Sequence, residues 1–300
     1  MISFKSDFLR ALRNSPLTIA AAAVVILLIL AALFAPLIAP YTPFDPASLE
    51  LFDGRTPPMQ PNVYTGNRFW LGADDQGRDV FSTILYGMRI SLLVGFSAVC
   101  LAAVIGVTLG LVSGYIGGWV DALIMRIADV QVTFPSILIA LMIFGVAREL
   151  TPVEQREEAA ILVLILSIGL SEWVPFARTV RAVTLVEKEK QYVAAARLVG
   201  RSRLAILFRH ILPNVLSSVL VIGTILLALA IIAEATLSFL GVGAPPTRPS
   251  LGTLIRIGQD FLFSGEWWIL FFPALTLLLL ALSTNLLGDW LRDYFNPQTR

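Results

Sequence analysis

Six apolar runs, each near the length a helix needs to cross a bilayer, constrain this chain more than anything else in it. They fall at residues 17–38, 90–113, 120–146, 159–176, 215–240 and 269–287. A membrane-crossing helix takes about 20 predominantly apolar residues. Only 14% of the 300 residues are charged and 57% are hydrophobic, whereas soluble domains carry about a quarter charged residues. The expected fold is therefore an all-α membrane protein with six transmembrane helices. The first run follows Lys5, Arg10 and Arg13. It exceeds the roughly 7–15 apolar residues of a signal-peptide core, so it reads as a retained span. The third run is the least clean, because Asp121, Arg126 and Asp129 occupy its first half. The fourth is short, with Glu172 near one end.

Several function classes lack their residues here. Cys100 is the single cysteine and lies in an apolar run, so neither an intrachain disulfide nor a thiolate metal cluster is expected. His210 is the single histidine, which removes a histidine-based zinc site and a Ser-His-Asp triad. There is no G-x-x-x-x-G-K-[ST] phosphate loop, so the chain is not expected to bind or hydrolyse ATP. H-E-x-x-H and G-x-S-x-G are also missing, and no carboxylate pair is spaced for acid–base work. The chain thus reads as non-catalytic, with no cofactor or metal of its own. The net charge of +1 says nothing about nucleic acid, because the charges separate by loop and form no single basic face.

Cytoplasmic loops carry an excess of Lys and Arg. With the N-terminus inside, thirteen of these residues lie on the inner segments and eight on the outer ones. One outer loop is acidic, with Glu149, Glu154, Glu157 and Glu158. Both termini and residues 178–214 are accordingly expected in the cytoplasm. The chain then divides into a tail and first span (1–39), an outer segment (40–89), a five-helix core (90–289) and a short tail (290–300). Pro, Gly and Asp make the start of the outer segment an irregular loop. Val80, Ile84, Leu85 and Met88 give its end the pattern of an amphipathic helix at the outer interface.

Residues 191–214, QYVAAARLVGRSRLAILFRHILPN, form the most distinctive polar stretch. Tyr192, Ala195, Ala196 and Val199 recur at helical spacing, and their small side chains suit close approach by a partner. Gly200 is placed to end that helix. Leu204, Ile206, Leu207, Ile211 and Leu212 suggest a second helix on the membrane, broken by Pro213 before span five.

This stretch resembles the signature loop of membrane subunits of ABC importers: Glu-Ala-Ala, three residues, Gly, nine residues, Ile-x-Leu-Pro. The matching positions are Ala194, Ala195, Ala196, Gly200, His210, Leu212 and Pro213, with Ala194 for the Glu and His210 for the Ile. WLGADDQGRDV at 70–80, FLGVGAPP at 239–246 and NLLGDWLRD at 285–293 extend the likeness. They resemble the second permease of the dipeptide/oligopeptide/nickel branch of that family. Ala73, Leu251 and Asn296 depart from its usual residues. The resemblance implies a type I ABC importer permease fold in a bacterial inner membrane. It implies a homologous second permease, two ATPase subunits that bind ATP and Mg, and an extracytoplasmic binding protein. Tyr192, Ala195, Ala196, Arg197, Gly200, Leu212 and Pro213 would belong to the ATPase-coupling loop. Peptides are the implied substrate, with nickel chelates, opines and other small conjugates as alternatives.

Charges inside a span are costly and face protein or water. Arg126 and Asp129, three apart, are expected to form a structural ion pair. Glu234, without a local cation, either lines a pathway or bonds to a neighbouring helix or the partner permease. Gly106, Gly110 and Gly114 repeat a four-residue spacing that suits close packing within the bundle. A rival class, a secondary transporter or channel, would use a carboxylate such as Glu234 and often an inverted repeat. No repeat is visible.

Overall fold

The computed structural model describes residue 12 and residues 15–45 and 49–295. Lys5, Arg10, Arg13, Asn296 and Arg300 lie outside the described residues. Ten helices dominate: α1 (Pro16–Leu33), α2 (Val80–Ile116), α3 (Gly118–Val132), α4 (Ser136–Leu150), α5 (Arg156–Ser171), α6 (Trp173–Glu187), α7 (Gln191–Leu198), α8 (Arg203–Phe239), α9 (Leu251–Gln259) and α10 (Trp268–Phe295). Among the described residues there is no strand, only two isolated bridges in the outer loop. Helices α1, α2, α8 and α10 are each long and apolar enough to cross a membrane. Two bent pairs, α3–α4 at 95° and α5–α6 at 41°, bring the number of spans to as many as six.

Three expected elements differ in detail. The third span is not straight: Pro135 cannot continue a helix and disfavours helical backbone at Phe134, so α3 ends at Val132 and α4 leaves at a right angle. The amphipathic segment 79–92 is not a separate interfacial helix but the first turns of α2, 37 residues without a break. Asp79 caps it by accepting from the Ser82 amide at 2.9 Å and its hydroxyl at 2.6 Å. Pro213 does not end the helix before span five. A π-turn at Leu207–Ile211 carries the chain from Arg203 into α8, with the Leu212 amide reaching back to the Leu207 carbonyl. The wider register accommodates a proline that lacks an amide and would crowd the preceding turn.

Helix α2 is the axis of the bundle. It lies along α6, and it also meets α5 and α8. The glycine ridge sets that closeness. A Cβ on Gly106 would stand 2.5 Å from the Trp173 carbonyl oxygen, on Gly110 2.6 Å from that of Ala177, and on Gly114 2.8 Å from Thr184 Cβ. Gly106, Gly110 and Gly114 therefore pack α2 against α6 backbone to backbone, as expected of small residues at helix contacts in lipid.

The outer loop folds back on the helices. Trp268 Nε1 donates to the Ala73 carbonyl at 3.1 Å, and Arg78 is buried against Asp74 at 2.6 Å. Ala73 is completely buried there, which is a physical reason for a small residue at that position.

Candidate functional site

Helix α7 is held by its own sequence and by the ends of the spans around it. Its buried face is Val193 and Ala196, three residues apart. Both belong to an apolar cluster with Leu111 of α2, Phe176 and Val180 of α6, and Ile206, Ile211 and Val215 of α8. The sequence reading grouped Tyr192, Ala195, Ala196 and Val199 on one face. The structure divides them: Ala196 turns inward with Val193, and Tyr192, Ala195 and Val199 turn out. Val193 is the reason, because as the larger apolar side chain it takes the inward position and sets the helix rotation. Leu198 and Val199 are 89% and 78% exposed, flanked by exposed Arg197, Arg201 and Arg203.

Gly200 ends α7 in the left-handed conformation, with φ +78°. The Gly200 amide donates to the Arg197 carbonyl at 3.0 Å and the Arg201 amide to the Ala196 carbonyl at 3.1 Å. These are the two bonds of a Schellman cap, which favours glycine at this position. Leu212 and Pro213, expected in the same loop, instead open the continuous part of α8 beyond the π-turn.

A polar network missed in the sequence reading locks α7 to its neighbours. Glu187, at the end of α6, accepts from Lys190 Nζ at 2.5 Å and from the Tyr192 hydroxyl. Asn214 Nδ2 donates to the Tyr192 hydroxyl at 3.2 Å and to the His210 carbonyl at 2.7 Å, which ties the network to α8. Lys188 Nζ donates to the Gly114 carbonyl at 2.9 Å, a cation at the carboxyl end of α2. Above it, Arg181 of α6 grips Asp121 of α3 with two bonds of 2.5 and 2.6 Å, and Ser113 of α2 adds a third. The Glu187–Lys190 spacing was the one signal in the sequence. The bonds that tie this network across elements, Asn214 to Tyr192, Lys188 to Gly114 and Arg181 to Asp121, join residues distant along the chain.

Burial, followed by the Glu187 carboxylate, pushes the Tyr192 phenol up to about 12. A raised value in the folded state means that the neutral, donating form stabilises the fold. That contribution is complete below pH ~10 and is lost as pH rises from there through about 12. Tyr192→Phe should therefore lower the thermal midpoint of the solubilised protein below pH ~10. The gap from wild type, worth about 1 kcal/mol for a partly exposed bond, should close at higher pH. A gap that stays constant to pH ~12 would rule out the assigned bond.

One expectation about charges inside the spans is corrected, and one open alternative is narrowed. Asp129 pairs with Arg178 of α6 at 2.7 Å instead of with Arg126, because α6 runs close enough to offer a guanidinium from the side. Glu234 does not line an opening. It is fully buried and accepts from Ser91 of α2 and Ser238 of α8, both at 2.7 Å. The Ser91 hydroxyl in turn accepts from the Leu251 amide of α9 at 3.2 Å. Glu234 is thus a knot between α2, α8 and α9, the neighbouring-helix alternative of the sequence reading. Among the described residues, no three His, Cys, Asp or Glu side chains are grouped to hold a metal ion.

Comparison with known proteins agrees with this architecture. The profile of the family described as binding-protein-dependent transport system inner membrane component matches residues 106–300. That of the N-terminal TM domain of oligopeptide transport permease C matches residues 3–58. The chain is 39% identical over 231 residues to the dipeptide transport system permease protein DppC of Alkalihalophilus pseudofirmus, covering 77% of this chain and 72% of the relative. It is 39% identical over 295 residues to the glutathione transport system permease protein GsiD of Escherichia coli O6:K15:H31, covering 98% and 90%. The corresponding protein of Pectobacterium atrosepticum is 37% identical over 294 residues, covering 98% and 91%. With a helical bundle of this form and a match over most of its core, the chain belongs to the binding-protein-dependent transport system inner membrane component family.

Proposed function

We propose that this chain is the membrane-spanning subunit of an ATP-driven importer of peptides, with α7 as the element that receives the motion of an ATPase subunit. The carrying observation is the two-sidedness of α7. Val193 and Ala196 cement it to α2, α6 and α8, while Leu198 and Val199 stand exposed among arginines. A push on such a helix moves the spans with it, as in rigid rocking between two states. The apolar tip with a basic rim suits a groove with acidic edges on the partner.

The complex contains a second, homologous permease, two ATPase subunits that bind ATP and Mg, and an extracytoplasmic binding protein. Residues 178–214 and both termini face the cytoplasm of a bacterial inner membrane. This chain performs no catalysis, and no cofactor or metal belongs to it. Peptides are favoured because the relatives above are named for dipeptide and glutathione transport. Purification from gently solubilised native membranes should recover a homologous permease and two P-loop ATPases. Recovery of the chain alone, under conditions that keep other complexes whole, would favour the secondary-transporter reading. That reading has little support from Glu234, whose carboxylate is enclosed by serines.

Gly200 offers a test of the coupling assignment. A Cβ there meets nothing within 4 Å inside this chain, so the clash a bulky residue would make is left to a partner docked on this loop. Gly200→Trp should insert normally and lose at least about tenfold in ATP-driven uptake, the range of a typical coupling energy. Gly200→Asn, which tolerates the left-handed backbone, should keep most of it. Normal uptake by the Trp variant would sink the assignment.

A further inference from the structure

At the end of the bundle opposite α7, a cavity of about 520 Å³ opens between the α4–α5 junction, the turn at 241–247 and α9. Arg148, Arg156 and Arg256 line it, and Glu157 is the one carboxylate among the lining residues. Glu157 is occupied, since it accepts from the Thr247 hydroxyl. Arg156 is partly occupied, by Glu149 at 3.3 Å and by the Thr151 carbonyl at 3.2 Å. Arg148 and Arg256 form no ion pair among the described residues. Arg256 Nε is buried without a hydrogen-bond partner. The large majority of buried side-chain polar atoms in folded proteins are hydrogen-bonded, so this one asks for an acceptor. With Arg156 paired to Glu149 and Glu157 as the one lining carboxylate, three guanidinium groups face two carboxylates, and the positive charge left over sits on Arg148 and Arg256.

The geometry points to a carboxylate site here, one that receives the C-terminal carboxylate of a peptide on its way through the subunit. The inference rests on the peptide-import reading. Arginine suits the task because its planar fork gives paired, charge-assisted bonds to a carboxylate. The volume falls within the range of about 300–1,000 Å³ typical of small-molecule sites. The recess between three elements fits a peptide end better than it fits the flat face of a protein. The site would be a way station and not a trap, since Arg148 and Arg156 border open solvent where such pairs are weak.

The test uses the assembled permease–ATPase complex in nanodiscs without its binding protein, at low salt, with trialanine and trialanine amide as probes. Calorimetry or saturation-transfer NMR should detect trialanine and find the amide about tenfold weaker or more. Arg148→Gln and Arg256→Gln should each weaken trialanine by about fivefold or more and leave the amide unchanged. Arg148 is exposed and unpaired, so its variant keeps the test sound even where Arg256→Gln lowers the yield. Equal binding of the two probes, or no effect of Arg148→Gln, would overturn the site. A second arm measures the affinity of the binding protein for the complex. Loss of that affinity in Arg148→Gln, with no trialanine binding by wild type, would give the carboxylate to the binding protein and overturn the proposal. The reading beneath it fails separately. A wild-type complex that imports no peptide, yet distinguishes the two probes through these arginines, would overturn peptide import and support the carboxylate site.

Discussion

Replacing Gly110 with leucine should separate α2 from α6 and lower the amount of folded protein more than any other single change considered. A Cβ at that position already stands 2.6 Å from the Ala177 carbonyl oxygen and 2.8 Å from Val180 Cβ. Neither can yield, because one is backbone and the other belongs to a fully buried side chain. Apolar burial does not hold helices together in lipid. Their association rests on dispersion and close backbone approach, and these fall off within an ångström. Overpacking a tight contact costs about 1–3 kcal/mol and sometimes more. At about 2–4 °C per kcal/mol for a large domain, the solubilised variant should melt roughly 6–12 °C lower for a cost of about 3 kcal/mol. Gly145→Leu is the internal control, since Gly145 is exposed and a Cβ there meets nothing within 4 Å. Equal melting of the two variants would show that the α2–α6 contact is not what holds the bundle together.

Val193→Asp should uncouple the subunit without unfolding it. Val193 is completely buried, and the residues packed around it are apolar. An unpaired carboxylate in such a place costs several kcal/mol. Helix α7 has eight residues and only Val193 and Ala196 on its buried face, so peeling it away relieves the charge more cheaply than opening the core. The expected result is normal membrane insertion, near-normal melting of the spans and at least about tenfold less uptake. Val193→Ala, which leaves a small void and no charge, should cost about 2 kcal/mol and retain most uptake. Wild-type uptake by Val193→Asp would show that the seating of α7 does not transmit motion.

The four long spans were legible because about twenty uncharged apolar residues have few other fates; α2 and α10 contain the runs read from the sequence, α8 ends one residue short of its run, and α1 stops at Leu33, five residues before its run does. The glycine ridge was equally legible, as small residues at a spacing of four lie on one helix face. Gly200 could be read as a cap because only one backbone conformation there suits glycine so well. The 95° elbow after α3 was also written in the sequence, at Pro135, and was overlooked because its flanks are as apolar as a continuous span.

Other features depended on distance in space. The pairing of Asp129 with Arg178, the bond from Ser91 to Glu234 and the grip of Arg181 on Asp121 join residues 49 or more positions apart. A helix wheel offers Asp129 only its own neighbours, so Arg126 looked like the partner. The rotation of α7 was decided in the same way, by the pocket that α2, α6 and α8 form for Val193. The sequence by itself determined which segments enter the membrane, where small residues let helices touch and where α7 stops, because these follow from local chemistry. Only the tertiary structure decided which charge meets which, and which face of α7 is left for a partner, because those depend on the neighbours that folding supplies.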